Sequence, residues 1–328
     1  MRIAITGVSG FLGRALVERL AKCEDVESMV GIDLKRFGPH AKLYHYRMDI
    51  RDPELRKVFR KHGVDTVVHL AFILNPPPDP TFQREVNVGG SRNVLLAAKE
   101  CGARKFVFAS STTVYGAHPD NPEWLTEEDP LRPNIQYARE KAEVERMCQG
   151  LVGRMEVTSL RLSTVIGPHI DNPILAYALA LKAGLAVRIG SFPTVPLQLV
   201  HERDVVEAFY RAAVEDHPGV YNVAGDGAID ASYLHSRGMR AWRIPVPLAR
   251  LALEVGRRLE IHFWEPTILD YIRYRWTASN RLIRKEWGFN FKHSSTEALD
   301  ETIRGGVRLR KVAKCTLPYF YFLGHRLH

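Results

Sequence analysis

The sequence is poor in cysteine, and its few cysteines stand far apart. There are four in 328 residues, with no Cys-x-x-Cys pair among them, at Cys23, Cys101, Cys148 and Cys315. Scattered cysteines argue against a disulfide framework and against a structural zinc site, since both need clustered thiols. We therefore expect a reducing compartment, by default the cytoplasm, and no bound metal.

Long hydrophobic runs are also lacking. No apolar run reaches the roughly 18 residues that a membrane-spanning helix needs. The first six residues, MRIAIT, are typical of a strand and lack the charged and apolar regions of a signal peptide. No internal repeat is present. The sequence therefore predicts a soluble globular protein.

Acidic residues are fewer than basic ones, 37 against 46, which gives a formal net charge of +9. Nucleic acid is one partner of basic proteins, but the chain has neither a nucleic-acid recognition motif nor a basic run. A dinucleotide and a phosphorylated substrate are also anions, and a positive field would attract both. We expect small anionic ligands and no nucleic acid.

Short β-branched runs alternate with helical patterns in the first half, which is typical of a parallel sheet wound with helices. The predicted strands are Arg2–Thr6, Glu27–Asp33, Thr66–Leu70, Lys105–Ser110 and Glu156–Leu162. The predicted helices between them are Phe11–Ala21, Pro53–Lys61, Phe82–Cys101 and Ile135–Gln149. The expected fold class is α/β, a Rossmann-type doubly wound parallel sheet.

The second half is mostly helical, and we expect it to form a smaller substrate domain. It has predicted strands ending at His201 and at Val223. Its helical patterns are at Pro173–Ala183, Arg203–Ala213, Pro247–Leu259, Thr267–Tyr274, Ser279–Trp287 and Ser295–Arg304. The predicted first domain is 1–165, with 195–224 returning to it, and the predicted second domain is 166–194 and 225–328.

A glycine-rich turn, GVSGFLG at 7–13, follows the first strand and begins the first helix. Glycines allow the backbone to approach a pyrophosphate, and the helix N-terminus favours an anion. A glycine-rich loop without a ligand is the alternative, but the strand before it and the helix after it favour dinucleotide binding.

The second strand ends at Asp33, about 20 residues past the last glycine of the turn, where a carboxylate binds the adenosine ribose. A carboxylate there repels the extra phosphate of NADP, so NAD is the expected cofactor. Lys35 and Arg36 weaken this preference. The alternative role for Asp33 is to cap a turn at the strand end.

Tyr137 and Lys141 are four residues apart on a predicted helix and therefore share one face. A free tyrosine has a pKa of about 10, which a nearby ammonium lowers, so that the phenol becomes a usable acid and base. The spacing alone is common. The segment Ser110–Gly116, which follows the strand at 105–110, supplies further hydroxyls.

Together these motifs resemble the extended short-chain dehydrogenase/reductase superfamily, and within it the NAD-dependent epimerase/dehydratase family that includes UDP-glucose/galactose 4-epimerase-like enzymes. Further matches run in order to about residue 305. They are DIRD at 49–52, HLA at 69–71, NVGG at 87–90, YAREK at 137–141, LR at 160–161, GP at 167–168, VHERD at 200–204 and YNVAG at 221–225.

The resemblance implies a role for each matching position. The cofactor pyrophosphate would lie on Gly7, Ser9, Gly10, Phe11, Leu12 and Gly13, with Asp33 at the adenosine ribose. Asp49 and Ile50 would flank the adenine, and Leu70 and Ala71 would line the path to the nicotinamide. Asn87 would support the site.

The resemblance implies catalytic roles as well. Ser111 would hydrogen-bond the reacting oxygen, with capping of a turn as its alternative role, and Thr112 or Thr113 could share its task. Tyr137 would be the acid/base. Lys141 would bind the nicotinamide ribose and tune Tyr137.

Three positions depart from the family pattern. Thr164 stands where sugar-nucleotide epimerases have an asparagine that contacts the sugar. Val195–Leu199 lacks the arginine that meets the substrate diphosphate; Arg188, Arg273 and Arg275 are possible replacements. Glu140 replaces a small residue before the lysine, and we expect little effect from it.

The tail from 304 to 328 has basic residues, no acidic one, and the aromatic run LPYFYFL. Packing on its own domain or on a dimer partner is the expectation, with an anchor at a membrane surface as the alternative.

The leading prediction is a UDP-sugar 4-epimerase-like enzyme that transfers hydride transiently to bound NAD. The alternative is a 3β-hydroxysteroid dehydrogenase-like reductase or dehydrogenase of an apolar alcohol or ketone, which the uncharged Thr164 and Leu197 favour. A non-catalytic NAD-binding sensor is a third hypothesis, against which the Ser111, Tyr137 and Lys141 set argues. By resemblance, the helices at 82–101 and 135–149 would form a homodimer.

Overall fold

A seven-stranded parallel sheet is the centre of the computed structural model, which describes residues 1–170, 186–189, 195–230, 233, 236, 241–260 and 264–304. The strands in these ranges are β1 (Arg2–Thr6), β2 (Ser28–Asp33), β3 (Leu43–Arg47), β4 (Thr66–His69), β5 (Lys105–Ser111), β6 (Glu156–Leu162), β7 (Thr164–Ile166), β8 (Ala186–Ile189), β9 (Leu199–His201), β10 (Gly219–Val223) and β11 (Ala241–Ile244). The main sheet has the order β10-β6-β5-β4-β1-β2-β3, and all its pairings are parallel. Two short parallel pairs, β7 with β9 and β8 with β11, lie outside it.

Helices cover both faces of the sheet. They are α1 (Phe11–Leu20), α2 (Leu55–Lys61), α3 (Pro80–Arg84), α4 (Ser91–Glu100), α5 (Gln136–Gln149), α6 (Glu202–Val214), α7 (Val246–Arg258), α8 (Asp270–Arg273), α9 (Arg281–Trp287) and α10 (Ser295–Arg304). One apolar cluster joins α1 and α6 to one face, and another joins α2, α4 and α5 to the opposite face. Alternation along β1 sends Ile3 and Ile5 into the first cluster and Ala4 into the second. The predicted doubly wound α/β class, with a mostly helical C-terminal region, is confirmed.

The strand β3 has no counterpart among the predicted strands, and one predicted helix contains a π-helical turn. The β3 sequence, LYHYR, has few β-branched residues, and the strand lies at the sheet edge, where Tyr44 is exposed. The helix predicted over 82–101 is instead α3, a π-helical turn at Glu85–Gly90, and α4. Two adjacent glycines lower the helix propensity there.

Several expectations concern residues that the structure does not describe or does not test. The helix predicted at 173–183 and the tail after 304 lie outside the described residues. The division into an NAD-binding domain and a substrate domain stays a prediction. None of the helices in the described ranges has the length and apolar content that crossing a lipid bilayer requires.

A buried ion pair joins α5 to the sheet. The guanidinium of Arg161 on β6 contacts the carboxylate of Glu145 on α5, and the two side chains are 4% and 0% exposed. Glu145 also accepts a hydrogen bond of 2.7 Å from the Ser110 hydroxyl. Arg161 Nη1 donates to the Tyr115 hydroxyl, which donates in turn to Asn222 Oδ1, each over 2.8 Å. Every charge in this group therefore has a partner, which is the condition for burying it.

Removing one partner of this pair should be far more destabilising than removing a surface partner on the same helix. We expect Glu145→Ala to lower the free energy of unfolding by about 3–5 kcal/mol, because Arg161 would stay buried and unpaired. The control is Glu143→Ala, which breaks the pair with Arg84, whose side chain is 55% exposed. The control substitution should lower the free energy of unfolding by about 1 kcal/mol or less. Urea unfolding followed by circular dichroism measures the free energy of unfolding of both variants. Equal losses of stability would contradict the structural importance of the buried pair.

Candidate active site

The glycine-rich turn after β1 is tightly packed. Gly7 has a φ of +73°, and a Cβ atom on it would lie 2.8 Å from the backbone nitrogen of Ala71. A Cβ atom on Gly13 would lie 2.5 Å from the carbonyl oxygen of Gly7. Both contacts are with backbone, which cannot move aside. Glycine is therefore required at 7 and 13, and the turn lies directly against the segment that follows β4.

The N-terminus of α1 is open to an anion. Gly10 precedes the helix and offers no side-chain cap, and the Arg14 amide donates to the Gly10 carbonyl oxygen over 3.0 Å. The amides of Phe11, Leu12 and Gly13 belong to the first turn of a helix, which has no intrahelical acceptors. Such free N–H groups, together with the helix dipole, bind phosphate. The turn therefore fits the pyrophosphate of a dinucleotide.

Asp33 lies at the C-terminal end of β2, beside this turn. Its Oδ2 accepts from the Ser9 amide over 3.0 Å, and its Oδ1 accepts from the Lys35 amide over 2.9 Å. The Ser9 hydroxyl donates to the Lys35 carbonyl oxygen over 2.8 Å. Asp33 thus caps a turn, which was its alternative role. The carboxylate keeps further lone pairs for a ribose diol, and that contact stays a prediction.

Asp49 has its carboxylate hydrogen-bonded by a neighbouring arginine, whereas Ile50 is buried. Arg51 holds the Asp49 carboxylate with its Nε at 3.1 Å and its Nη2 at 2.8 Å. These hydrogen bonds lower the pKa of Asp49. Ile50 is buried and packs under Gly90, where a Cβ atom would lie 2.6 Å from Ile50 Cδ1. The predicted contact of both residues with adenine is not tested.

Asn87 positions the segment after β4. Its Oδ1 accepts from the Ile73 amide over 2.7 Å, and its Nδ2 donates to the Ile73 carbonyl oxygen over 3.0 Å. The same Nδ2 donates to Glu140 Oε2 over 2.7 Å. Leu70 and Ala71 precede Ile73 in this segment. The Leu70 amide donates to the backbone oxygen of Thr6, and the Ala71 amide donates to the Thr6 hydroxyl. Both N–H bonds of the Asn87 amide are thus used inside the protein, which fits a supporting role and disfavours direct contact with the cofactor.

Glu140 has a larger structural role than the sequence analysis expects. Its side chain is buried and accepts hydrogen bonds from the side-chain amides of Gln83 at 3.0 Å, Asn87 at 2.7 Å and Gln136 at 2.8 Å. Three amide donors compensate for the loss of water around the carboxylate. Glu140 therefore ties α5 to α3 and to the π-helical turn.

Ser111 and Tyr137 meet at the C-terminal end of β5. The Ser111 side chain lies close enough to the Tyr137 phenol to oppose part of the rise in the pKa of Tyr137. Ser111 Oγ also accepts from the Thr113 amide at 3.2 Å and from the Thr113 hydroxyl at 2.9 Å, so it caps a turn as well. Thr112, a predicted substrate contact, is fully buried and donates to the Leu162 carbonyl oxygen over 3.3 Å. Its hydroxyl points into the core, and Thr113 is the threonine whose hydroxyl lies beside Ser111.

Lys141 lies beneath Tyr137 in a dry pocket. It is 3% exposed, and its Nζ donates to the Ala109 carbonyl oxygen over 2.5 Å. The same nitrogen is 3.6 Å from the ring centroid of Phe72 and 5.7 Å from that of Tyr137. Burial lowers the pKa of Lys141 to about 7. Burial also raises the pKa of Tyr137, and the hydrogen bond with Ser111 opposes this only in part.

Two aromatic residues at the site are missed by the sequence analysis. Phe72 follows Leu70 and Ala71 directly and meets the Tyr137 ring edge to face, with centroids 5.6 Å apart. Its position directly after two residues predicted to line the cofactor path could have indicated that Phe72 belongs to the site. Tyr271 donates to the Thr113 carbonyl oxygen over 2.9 Å. It comes from α8, far along the chain, so no local pattern indicated it.

Thr164, the predicted sugar contact, begins β7, two residues after β6 ends, and is partly exposed. The structure does not test its role.

One cluster in the described ranges has metal-ligand residue types: His201, His293 and Glu301, whose donor atoms lie within 4.8 Å of one another. The two imidazole rings stack with centroids 4.0 Å apart, and the Nε2 atoms of both face one Glu301 carboxylate oxygen, at 3.7 Å from His201 and 3.0 Å from His293. His201 Nδ1 accepts from the Arg203 amide over 3.2 Å, so the ring proton belongs on Nε2. We interpret the cluster as a polar contact between α10 and β9.

The chain matches the family model for the NAD dependent epimerase/dehydratase family over residues 3–224. It is 32% identical over 324 residues to Rv0501, an uncharacterized protein of Mycobacterium tuberculosis, covering 92% of this chain and 83% of that protein. It is 28% identical over 300 residues to the UDP-glucose 4-epimerase of Mycolicibacterium smegmatis, covering 82% and 94% respectively.

Solved structures show the same fold. UDP-glucose 4-epimerase with UDP-glucose from Thermotoga maritima aligns with a TM-score of 0.74 at 20% identity, covering 95% of this chain and 99% of that one. The Bordetella bronchiseptica enzyme WbmG in complex with NAD aligns with a TM-score of 0.74 at 23% identity, covering 93% of both chains. The chain belongs to the NAD dependent epimerase/dehydratase family and is an NAD-dependent enzyme.

Proposed function

We propose that the protein is a sugar-nucleotide epimerase of the UDP-sugar 4-epimerase-like type, with Tyr137 as its acid and base. The observation that carries this proposal is the meeting of Ser111, Tyr137 and Lys141 at the C-terminal end of β5. Ligands of parallel α/β sheets bind at that edge. The glycine-rich turn and Asp33 lie at the same edge, at the ends of β1 and β2.

Bound NAD supplies a reversible hydride acceptor for this chemistry. Tyr137 takes the proton from a sugar hydroxyl and later returns it, while Ser111 holds the reacting oxygen in place. Because both groups are fixed by hydrogen bonds and packing, little reorganisation is needed at the moment of transfer. Leu70, Ala71 and Phe72 line one side of the site and exclude water from it.

The electrostatics of the site couple Tyr137 to Lys141. Burial disfavours the tyrosinate and the ammonium alike, raising the pKa of one and lowering that of the other. Each charged form is most stable when the other is present, because opposite charges attract strongly where water is excluded. Lys141 in its charged form therefore stabilises the tyrosinate that accepts the substrate proton.

The substrate class rests on the described basic residues near the site. Arg273 and Arg275 flank Tyr274, which packs with Trp276 against the cluster around Tyr137. Arg273 Nη1 is 3.6 Å from Asp270, and Arg275 Nη1 is 3.5 Å from Glu123. Both guanidinium groups are partly exposed, so these weak pairs can give way to a substrate diphosphate. Relatives named as UDP-glucose 4-epimerases support the same class.

One observation favours a second function, reduction or oxidation of an apolar alcohol or ketone. The surroundings of Tyr137 are aromatic: Phe72, Tyr271 and Trp276 pack there, and Thr164 and Leu197 carry no charge. An apolar ring would fit such walls better than a hydroxylated sugar. The same tyrosine and lysine would serve this reaction.

We also propose a homodimer built on α4 and α5, in a cytoplasmic protein. Leu96 on α4 is 44% exposed, and Phe82 on α3 is 41% exposed. Light scattering should give a mass near twice the 37.2 kDa of the chain. Leu96→Arg should shift that mass toward the monomer, because it places a charge in the apolar part of the interface. Tyr44→Arg, on exposed β3, is the matched control. A wild-type monomer would refute the dimer.

Replacing Tyr137 by Phe should abolish turnover and leave cofactor binding unchanged. The change removes one oxygen from a ring that stays packed against Phe72, so we expect a rate loss of at least about 100-fold. The NAD content per chain, measured alongside, should match the wild type. Tyr44→Phe makes the same chemical change at an exposed position and should retain full activity. Activity in Tyr137→Phe would rule out the assignment.

The nucleotide released on denaturation should distinguish the two functions. An epimerase returns its hydride to the same substrate and has no need to exchange the cofactor, so we expect near-stoichiometric NAD by mass spectrometry. UDP-, GDP- and dTDP-sugars would then be screened for epimerisation. A chain that is purified empty and binds NADH or NADPH only on addition would support the reductase instead.

A further inference from the structure

The buried carboxylate of Glu202, which is not part of the proposed catalytic set, contacts His169. Glu202, the first residue of α6, is 2% exposed. Its carboxylate accepts from the His169 amide at 3.2 Å and lies 2.6 Å from His169 Nδ1. A Cβ atom on Gly167 would lie 2.2 Å from the Glu202 carboxyl carbon, so a larger residue at 167 would displace this carboxylate. Nothing in the proposed chemistry uses this pair.

The contact with Glu202 fixes the orientation of the imidazole. A carboxylate only accepts, so Nδ1 carries the proton that it donates to Glu202. Nε2, at the other end of the ring, then points away from Glu202. The His169 side chain is 66% exposed, whereas that of Glu202 is 3% exposed. The buried residue therefore holds an accessible imidazole in place, as carboxylates do for functional histidines.

The imidazole lies beside the anion-binding end of α1. Its ring is nearly parallel to that of Phe11, with an interplanar angle of 4° and centroids 5.9 Å apart. Phe11 is the first residue of α1 and directly follows Gly10 of the glycine-rich turn. The imidazole therefore lies beside the side chain of the first residue of α1, although His169 is more than 150 residues further along the chain.

We propose that His169 is a further cofactor-binding residue, whose Nε2–H donates to the diphosphate of NAD, and that Glu202 is its positioning residue. Donation from both ring nitrogens requires the imidazolium. The Glu202 carboxylate on one side and the diphosphate on the other stabilise that charge. The inference needs only that the chain binds NAD and does not depend on which substrate it uses. A nucleotide-sugar substrate also carries a diphosphate, so the test must separate the two sources.

The test measures ligand affinity by isothermal titration calorimetry on the full-length protein after bound nucleotide has been removed. The probes are ADP-ribose, which has the cofactor diphosphate, adenosine, which has none, and UDP, which has the substrate diphosphate. His169→Leu should weaken ADP-ribose binding by about ten-fold or more, the loss of one charge-assisted hydrogen bond. Adenosine and UDP should bind as they do to the wild type. His62→Leu, at the far end of α2, is the matched control and should change none of the three.

A double-mutant cycle tests the role of Glu202. Glu202→Gln should weaken ADP-ribose binding while His169 is present and should have no further effect in the His169→Leu background, because it acts through the imidazole. Thermal melting by circular dichroism confirms that each variant is folded. Unchanged ADP-ribose affinity in His169→Leu would overturn the proposal. So would an equal loss for adenosine, a loss confined to UDP, or additive effects of the two substitutions.

Discussion

The buried pair of Arg161 and Glu145 is the constraint on which the active site depends. Glu145 lies on the same helix as Tyr137 and Lys141, and Arg161 lies on β6, next to β5 in the sheet. Ser110, which bonds Glu145, directly precedes Ser111. The pair thus holds α5 against β5 and β6, on the elements that carry Ser111 and Tyr137. Two charges removed from water hold this geometry because each of them has several partners.

The dry interior that this pair secures also determines the chemistry of the site. Burial lowers the pKa of His69 to about 3, so this histidine is neutral as it links Thr6 to Ser91 beneath the glycine-rich turn. The same burial lowers the pKa of Lys141 and raises that of Tyr137. A neutral His69 adds no positive charge to the site. Lys141, whose Nζ lies 5.7 Å from the Tyr137 ring centroid, is therefore the group that we propose to stabilise the tyrosinate when it is protonated.

The sequence predicted those parts of the site whose chemistry depends on local spacing. The glycines at 7 and 13, the i to i+4 pair of Tyr137 and Lys141, and the serine at the end of β5 are each recognisable within a few residues. Contacts between distant segments were not predictable in this way. The three amides around Glu140, the hydrogen bond from Tyr271 to Thr113 and the inward direction of Thr112 all depend on how segments far apart in sequence meet. For the same reason no local pattern indicated that His169 lies beside Phe11 or that Glu202 contacts His169.

The two sides of the site are held with different strength, and this difference explains why the reaction is easier to assign than the substrate. On the sheet side, the backbone of the turn at 7–13 touches residues 70–71 with no space for a single added carbon, so substitutions there are not tolerated. On the other side, Arg273 and Arg275 are in long, partly exposed ion pairs. Side chains held in this way can change without disturbing Ser111, Tyr137 or Lys141. The packed side therefore holds the residues proposed for hydride chemistry with NAD, and the other side is where we expect selection among substrates to take place.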